Sequence, residues 1–370
     1  MKKLNRMMNW TALMPVLTAL FLGASVPAHA QGTWTNTNYG DSGRVFDVKA
    51  MPNGDAWVAR AGGTTDRRGP ARYSATTEVW NPNPFGWNSF SSTFSSADAG
   101  VPRIAVNSTG QIVLGSRASG MQSIAFYDGS AWSELNSSND HRGTSDIWAA
   151  PTGEFLISKL FDNGNVFRTG TSTATFGTLE SIKGNLPNTN YRALSATGLD
   201  NVFVATDSGL YRSVNAGGAV GDVSWTSLDT TRFDALHVVS DTFAVLGGLN
   251  GLVAYWNGSS VETLTTPFAN QVNDVFGFSA NSIWAVGNEG LAQYWDGTEW
   301  TALDLPGNSA NFHLNAIDVN ANGVGFIVGS STINSNDGVV WTTAAIPEPG
   351  TLMLMGLGFS TLLLTKLFRK

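Results

Sequence analysis

Cysteine is absent from the 370-residue chain, which excludes a disulfide framework, a cysteine-based metal site and a thiol nucleophile. Charge is also sparse, at 13% of residues, and positive charge is the scarcer sign. Residues 31–346 contain 15 Lys and Arg against 27 Asp and Glu, a net charge of −12. This balance argues against nucleic acid or an anionic lipid surface as the main partner, because both carry charge of the same sign.

The first thirty residues have the pattern of a secretory signal peptide. A positive segment over residues 2–6 precedes an uncharged, mostly apolar stretch over 10–23. Ala28 and Ala30 form a small-x-small cleavage site, so signal peptidase should release a chain that begins at Gln31. A retained membrane helix is the alternative, which the shortness of the apolar run disfavours.

The C-terminal residues 346–370 combine a Pro-rich start, an apolar run and a basic end. No charged residue occurs from 350 to 365, and the run from 350 to 368 spans 19 residues with one Lys. This length suffices for one membrane helix, whose basic end should stay cytoplasmic. The residues alone therefore predict an exported body on a single C-terminal transmembrane helix.

This tail resembles the PEP-CTERM sorting signal of Gram-negative bacteria, in which the box here is Pro347, Glu348 and Pro349. The resemblance implies recognition and cleavage near the box by an exosortase-type sorting enzyme. It also implies a transient stay in the inner membrane, followed by the cell surface or an extracellular matrix such as that of a biofilm. The basic end departs mildly from the family, because its positive residues are split rather than clustered. A permanent anchor is the alternative reading.

The segment between the two ends is a repeat, which is the strongest structural signal in the sequence. Seven units recur at intervals of about 40 to 56 residues, and each has a first strand, a small-polar turn and a dense apolar second strand. The first strands contain, in order, Asp47, Arg103, Asp146, Arg192, Asp234, Asp274 and Asn315.

Each unit is expected to hold four strands, which is typical of a β-propeller blade. In the unit over 272–306, Asp296 and Gly297 separate two strand-like runs and predict a type I′ turn with positive φ at both residues. Fourth strands are predicted to begin at aromatic residues, namely Trp87, Trp132, Phe176, Trp225, Trp300 and Trp341. We therefore predict an all-β, seven-bladed propeller over 31–345, closed by a strand at either Trp34 or Trp341.

One turn resembles the Asp-box of bacterial propellers. Ser213, Asn215, Gly217 and Trp225 fit that pattern loosely, with Asn in place of Asp and extra residues before the Trp. The resemblance implies a fold element between a third and a fourth strand, remote from any catalytic centre.

Candidate catalytic residues are few. The sequence contains no HExxH, GxSxG, Walker or EF-hand pattern, so nothing indicates a metal site or a cofactor. Tyr127, Tyr255 and Tyr294 share one repeat position, which favours packing. A shared position also favours a structural role, such as capping, for Asp47, Asp146, Asp234 and Asp274.

A basic loop breaks the repeat in the first unit, between its second and third strands. It is expected to contribute three arginines to a patch over the first three blades, on one face of the ring. The patch is predicted to contain Arg67, Arg68, Arg72, Arg117, Arg142 and Lys159. Such a patch would suit an anionic exopolysaccharide or an acidic surface protein. Scattered solvated charges are the alternative.

Two classes of function fit these observations. In the first, the protein is a non-catalytic binding platform at the cell surface or in the matrix. In the second, it is a carbohydrate-active enzyme, a glycoside hydrolase or a lyase, acting on exopolysaccharide. The absence of an identifiable acid pair favours the first class. Arg and Asp side chains converging on a central channel would favour the second.

Overall fold

The computed structural model describes residues 32–37, 43–61, 69–86, 102–116, 124–135, 143–161, 163–170, 179–334 and 337–344. Their strands form seven four-stranded antiparallel sheets. First strands of successive sheets contact one another, and the first strand of the last sheet contacts that of the first, so the ring is closed. The predicted seven-bladed β-propeller is confirmed.

Strand β1 (Trp34–Asn36) precedes the first complete sheet. Blade 1 contains β2 (Arg44–Ala50), β3 (Ala56–Ala61), β4 (Gly69–Ser74) and β5 (Val79–Asn81). Blade 2 contains β6 (Arg103–Val106), β7 (Ile112–Gly115), β8 (Ile124–Tyr127) and β9 (Trp132–Leu135). Blade 3 contains β10 (Thr144–Ala149), β11 (Phe155–Lys159), β12 (Asn165–Thr169) and β13 (Leu179–Ser181). Blade 4 contains β14 (Tyr191–Gly198), β15 (Asn201–Thr206), β16 (Gly209–Ser213) and β17 (Thr226–Asp229).

Blade 5 contains β18 (Ala235–Ser240), β19 (Phe243–Gly247), β20 (Val253–Trp256) and β21 (Val261–Leu264). Blade 6 contains β22 (Val272–Ser279), β23 (Ser282–Gly287), β24 (Ala292–Trp295) and β25 (Trp300–Ala302). Blade 7 contains β26 (Phe312–Val319), β27 (Gly325–Ser331) and β28 (Gly338–Thr343), with β1 as its fourth strand. Within the described residues, five 3₁₀ turns lie at Pro84–Gly86, Val220–Asp222, Leu249–Gly251, Asn288–Gly290 and Ser309–Asn311.

The second strand of each blade is covered on both faces, because neighbouring sheets pack against it from either side. Every residue of β3, β15 and β23 is buried, which explains why these strands show no alternation of polar and apolar residues. One shared cluster joins blades 4 and 5, where Phe203 and Leu210 pack with Leu236 and Leu246. The core of the protein is therefore a series of layers between blades.

The first and last described strands both contribute to blade 7. Trp34, Thr35 and Asn36 of β1 pair with Thr343, Thr342 and Trp341 of β28. The ring is thus closed by the N-terminal strand, and the prediction that Trp341 begins a fourth strand is wrong, because Trp341 lies in the third strand. Trp34 is only 4% exposed, so its side chain is part of the closing contact.

Two local predictions also need correction. The fourth strand of blade 1 is β5, with Trp80 at its centre, rather than a strand at Trp87; Trp87 and Phe176 lie outside the described residues. The hairpin at Asp296 is not a type I′ turn, because Trp295 pairs with Trp300 and leaves a four-residue connection. Only Gly297 has positive φ there, at 98°, while Asp296 Oδ1 accepts hydrogen bonds from the Thr298 and Glu299 N–H groups.

The Asp-box-like turn forms between β16 and β17. Ser213 Oγ lies 3.0 Å from Asn215 Oδ1, which also accepts the Ser224 N–H at 3.1 Å. Asn215 therefore performs the turn-closing role of the Asp, and Trp225 is buried beside it.

Candidate functional site

The first strands of all seven blades line a central channel with a cavity of about 180 Å³. Most of these strands begin with a β-bulge, in which one extra residue disrupts the pairing with the second strand. The extra residues are Phe46, Ser145, Arg192, Asn273 and Asn315. A bulge changes where a side chain points, and here it brings polar residues to the channel and its mouth.

Three aspartates in the channel wall join neighbouring blades. Asp47, Asp146 and Asp274 each accept one hydrogen bond from the next residue's N–H and one from the backbone of the following blade. The inter-blade donors are the N–H groups of Ile104, Leu194 and Ile317, at 2.8–2.9 Å. The predicted structural role of these three residues is confirmed.

Asp234 does not share that role, and the assumed repeat position was wrong for it. The strand pairing places Leu236 opposite Leu246, as Val48 lies opposite Val58, so Ala235 is the residue equivalent to Asp47. Asp234 therefore lies one residue earlier, at the mouth. In blades 4 and 7, where Ala193 and Ala316 replace the capping Asp, a residue two positions later forms the link: Ser195 accepts the Val238 N–H, and Asp318 accepts the Ala50 N–H.

The buried channel changes the acidity of its carboxyl groups. Burial raises the pKa of Asp47 to about 7, although Arg103 nearby opposes the shift. Burial likewise raises the pKa of Asp274 well above its usual value, against the effect of the Ile317 N–H. These carboxyl groups are adapted to hold blades together and are poor candidates for carboxylates that stay ionised during catalysis.

A lysine and a histidine complete the channel. Lys49 Nζ lies 2.9 Å from Asp318 Oδ2. Burial alone would lower the pKa of Lys49, but the carboxylates of Asp318, Asp47 and Asp274 together outweigh this effect and the pKa is raised. Burial lowers the pKa of His237 to about 4, so its imidazole is neutral at pH 7. The His237 ring packs on Phe276 of the next blade, with centroids 4.2 Å apart.

Three arginines meet at one mouth of the channel, around a second cavity of about 220 Å³. Arg103 donates from Nε to the Ser145 carbonyl at 2.9 Å and from Nη1 to the Phe46 carbonyl at 3.3 Å. Arg192 and Arg232 approach from blade 4 and from the connection that precedes β18. This is the end of the ring at which the first strands begin.

Two carboxylates hold these arginines in place. Arg192 Nε lies 2.7 Å from Asp207 Oδ1 and 3.8 Å from Asp234 Oδ1. Arg232 Nη2 lies 2.8 Å from the same Asp234 oxygen, and its Nε is 3.5 Å from Asp207. Together with Arg103, three guanidinium groups face two carboxylates, so the mouth has a local excess of positive charge in an acidic protein.

The rest of the mouth is also polar. Side-chain amides and one imidazole complete its wall, namely Gln271, Asn273, Asn288, Asn315 and His313. Asn273 and Asn315 donate to carbonyls of the next blade, those of Leu314 and Val45, at 2.9 and 2.7 Å. No apolar side chain lines this cavity within the described part of the chain.

Only two residues of the predicted basic patch, Arg72 and Lys159, lie within the described part of the chain. Arg67, Arg68, Arg117 and Arg142 lie outside the described residues. Arg72 is in β4, where its Nη2 lies 2.7 Å from Asp55 Oδ2 and its guanidinium packs over Trp57, so it is a strand residue rather than a loop residue. Asp55 follows the turn between β2 and β3, at the end of the blade away from the mouth. Lys159 ends β11 and is 6% exposed.

The mouth arginines were not predicted as a site. Arg103 and Arg192 were recognised only as markers of their first strands, and Arg232 was not singled out. The available signal was that Arg replaces Asp or Asn near the start of two first strands. The one-residue bulge that contains Arg192 was not visible in the sequence. Arg103 lies in a first strand without such a bulge, and Arg232 precedes β18.

The C-terminal residues 345–370 match the family model of the PEP-CTERM protein-sorting motif. The chain carries a PEP-CTERM sorting signal. This motif points to an exported protein that an exosortase-type enzyme processes, consistent with a Gram-negative cell surface. The predicted transmembrane helix and the box Pro347, Glu348 and Pro349 lie outside the described residues, as do Ala28 and Ala30. Among the residues that are described, no helix is long and apolar enough to cross a membrane.

Solved structures share the propeller fold at low sequence identity. YCF48 bound to a D1 peptide is 13% identical, over 84% of this chain and 97% of that one, with a TM-score of 0.59. Virginiamycin B lyase from Staphylococcus aureus is 12% identical over 84% and 98%, with a TM-score of 0.56. The WD40 repeats of RRP9 are 13% identical over 84% and 97%, with a TM-score of 0.60. No curated protein sequence matches this chain significantly.

Proposed function

We propose that this exported propeller is a non-catalytic binding platform at the cell surface or in the extracellular matrix, and that it binds an anionic ligand at the channel mouth. The observation that carries the proposal is the convergence of Arg103, Arg192 and Arg232 on one polar cavity. Guanidinium groups bind carboxylates with paired hydrogen bonds. Asp207 and Asp234 already position two of the three guanidinium groups, those of Arg192 and Arg232.

The mouth offers unused donors. Arg192 uses only Nε within the described residues, so its Nη1 and Nη2 are available. Arg103 Nη2 and Arg232 Nη1 likewise form no hydrogen bond with the residues described here. Four guanidinium nitrogens are therefore available to bind an anionic partner. We favour an acidic exopolysaccharide over an acidic surface protein as that partner.

The predicted basic loops extend this proposal. The described residues Ala61 and Gly69, and Ser116 and Ile124, flank the segments that contain Arg67, Arg68 and Arg117. Ala61 pairs with Arg44 at the start of the first strand, so these loops begin at the same end of the ring as the mouth. Positive charge from both sources would attract a long polyanion, and salt should weaken the binding.

Binding of alginate, a polyuronate, to the exported protein tests the proposal. At low salt the wild type should bind alginate and not neutral dextran, and Arg232→Gln should weaken binding about tenfold, since a charge-assisted hydrogen bond contributes roughly 1.5–3 kcal/mol. Arg212→Gln is the matched control, because Arg212 bonds Asn201 near the other end of blade 4. Equal binding by wild type and Arg232→Gln would contradict the proposal.

A carbohydrate-active enzyme, a hydrolase or a lyase, is the second candidate. It is favoured by the convergence of Arg192 and Arg232 with Asp207 and Asp234 at the channel mouth, which is the arrangement expected of this class. His313 lies in the wall of the same cavity. The propeller neighbours include a lyase and a peptide complex, so the fold itself is compatible with both classes. We favour binding over catalysis because the channel carboxylates of Asp47, Asp146 and Asp274 are occupied in hydrogen bonds from backbone N–H groups. Release of new sugar ends from alginate, abolished in His313→Ala, would establish the enzyme instead.

A further inference from the structure

Positive charge is confined to one side of the ring. All 15 Lys and Arg of residues 31–346 lie between Arg44 and Arg232, the stretch that builds blades 1 to 4 and the connection to β18. Residues 233–346, which build blades 5 to 7 apart from β1, contain ten Asp and Glu and no Lys or Arg. An anionic ligand at the mouth is therefore attracted towards blades 1 to 4 and repelled by the other three blades.

Three of those acids, besides Asp234, lie at the mouth end of the ring. Glu289 is in the 3₁₀ turn after β23, Asp304 follows β25 and Asp337 precedes β28. Second and fourth strands run towards the mouth, so all three residues are at that end. An anionic chain that left the mouth over blade 6 or blade 7 would meet these carboxylates and no Lys or Arg.

On the other side, a polar strip leads from the mouth to the outer edge of blade 3. Asp207 accepts from Arg192 Nε at 2.7 Å and from Asn190 Nδ2 at 2.8 Å. Asn188 Oδ1 accepts from Lys183 Nζ at 2.6 Å. These five residues belong to the end of blade 3, the start of blade 4 and the connections beside them, and we call them the polar strip.

Lys183 is the cation at the outer end of the polar strip. Its exposed ammonium donates to the Asn163 carbonyl at 2.8 Å and to Asn188, which leaves one of its three N–H groups without a partner among the described residues. It forms no ion pair with the part of the chain that the structure describes. Burial and the nearby charge of Lys159 lower the pKa of Lys183, so a bound anion would stabilise its charged form.

The width of blade 3 separates Lys183 from the mouth. Arg103 donates to the Ser145 carbonyl on β10, the innermost strand of that blade, and Lys183 follows β13, the outermost. Three strand spacings of about 4.8 Å lie between β10 and β13, so the two contact points are roughly 14 Å apart. The carboxylate of one sugar acid cannot reach both points, whereas an oligomer with an acid group on each unit can.

We propose that the mouth binds part of an extended acidic polysaccharide whose chain runs outward along the polar strip, with one carboxylate at Arg192 and Arg232 and another at Lys183. This inference rests on the proposed function, and it adds a second contact and the direction of the bound chain. The amides of Asn188 and Asn190 suit a ligand that also carries hydroxyl groups. Blades 5 to 7 take no part in the path.

Calorimetric titration of the exported protein with a dimer and a hexamer of mannuronate, a unit of alginate, tests the inference. The hexamer should bind at least tenfold more tightly, because only the hexamer reaches Lys183 while it occupies the mouth. Equal affinity for the two would overturn the extended path and leave the anion-binding proposal standing. Absence of binding by both would overturn both proposals. Tighter binding of hexaglutamate than of the mannuronate hexamer would overturn the choice of a polysaccharide.

Lys183→Gln tests the second contact directly. It should lower the affinity for the hexamer about fivefold and leave the affinity for the dimer unchanged, since an exposed ion pair is a modest contact. Lys183→Arg should keep the affinity for the hexamer. Equal losses for dimer and hexamer in Lys183→Gln would show that Lys183 acts only through the fold of the polar strip, and would overturn its role as a contact.

Two controls separate a defined path from a general effect of charge. Asp304→Asn removes an exposed acid from the other side of the mouth, and Asp241→Asn removes one from the exposed turn after β18, at the end of the ring away from the mouth. At about 0.1 M salt, charges more than about 10 Å apart are largely screened, so both variants should bind the hexamer within about twofold of wild type. A fivefold gain in either would show that net charge decides the affinity, and would overturn the path.

Discussion

Asp274 Oδ2 accepts a hydrogen bond from the Ile317 N–H at 2.9 Å, and this bond joins blade 6 to blade 7 across the channel wall. Asp274 Oδ1 accepts a second bond from the Val275 N–H, also at 2.9 Å. One side chain thus satisfies two backbone donors that belong to different sheets.

Removal of this carboxyl group should destabilise the ring. Asp274→Ala leaves two N–H groups in the channel wall without their acceptor, which should cost about 1–3 kcal/mol in the free energy of unfolding. Asp274→Asn keeps one acceptor oxygen and should lose less. Urea denaturation measures both, and Asp241→Ala in the exposed turn should lie within about 0.5 kcal/mol of wild type. Wild-type stability of Asp274→Ala would show that the inter-blade bond is dispensable.

The closing strand should depend on Trp34. Its side chain is 4% exposed, and Trp34→Ala should lower the free energy of unfolding by about 3–5 kcal/mol because it leaves a large cavity. Val79→Ala in the fourth strand of blade 1 is a suitable comparison, since Val79 is 60% exposed and should matter little. If both variants melt like the wild type, β1 does not seal the ring.

The pKa of Asp47 predicts a pH effect of a definite sign. Burial raises this pKa from 3.8 to about 7, so the folded protein binds a proton that the unfolded chain has released. The contribution of Asp47 to stability is therefore greatest below pH 4 and is lost as pH rises towards 7. His237, with a pKa of about 4, acts in the opposite direction over part of this range.

Comparison of variants separates the two groups. The melting temperature of wild type minus that of Asp47→Asn should fall between pH 4 and 7 and then level off. The corresponding difference for Asp241→Asn should show no such fall. A difference for Asp47→Asn that rises with pH would contradict the raised pKa of Asp47.

Arg72 should matter for stability rather than for ligand binding. The Asp55 side chain is 8% exposed, and Arg72→Ala would leave its carboxylate without the opposite charge 2.7 Å away. We expect a loss of about 1–3 kcal/mol and unchanged alginate affinity. Arg67→Ala with Arg68→Ala should do the reverse, weakening alginate binding at low salt without lowering the melting temperature. The same behaviour in both variants would show that these arginines act together.

The sorting box predicts a defined product. Glu348→Ala should impair processing in a host with an exosortase-type enzyme, so more protein should keep its C-terminal tail. Mass spectrometry of wild-type extracellular protein should detect no peptide from Thr351 onwards. Recovery of the intact tail on surface-exposed wild-type protein would favour a permanent anchor.

The sequence predicted the number of blades because every unit repeats a dense apolar second strand, and such strands are buried whatever the details around them. The sequence-based prediction failed where the position of a single residue within a strand had to be known. An aromatic residue alone cannot locate the fourth strand of blade 1, because Trp80 and Trp87 both fit and only Trp80 lies in β5. Asp234 matches Asp47 in sequence only as an Asp near the start of a first strand, whereas the pairing with the second strand makes Ala235 the residue equivalent to Asp47.

The pairing of Trp34 with Thr343 has a consequence for the order in which the protein folds. Blades 1 to 6 are each built from one contiguous stretch of chain, so every one of these sheets has its four strands as soon as that stretch has been synthesised. Blade 7 is different, because its outer strand is synthesised first and the neighbour of that strand is synthesised last. The ring therefore cannot close until the chain has been made through Thr343.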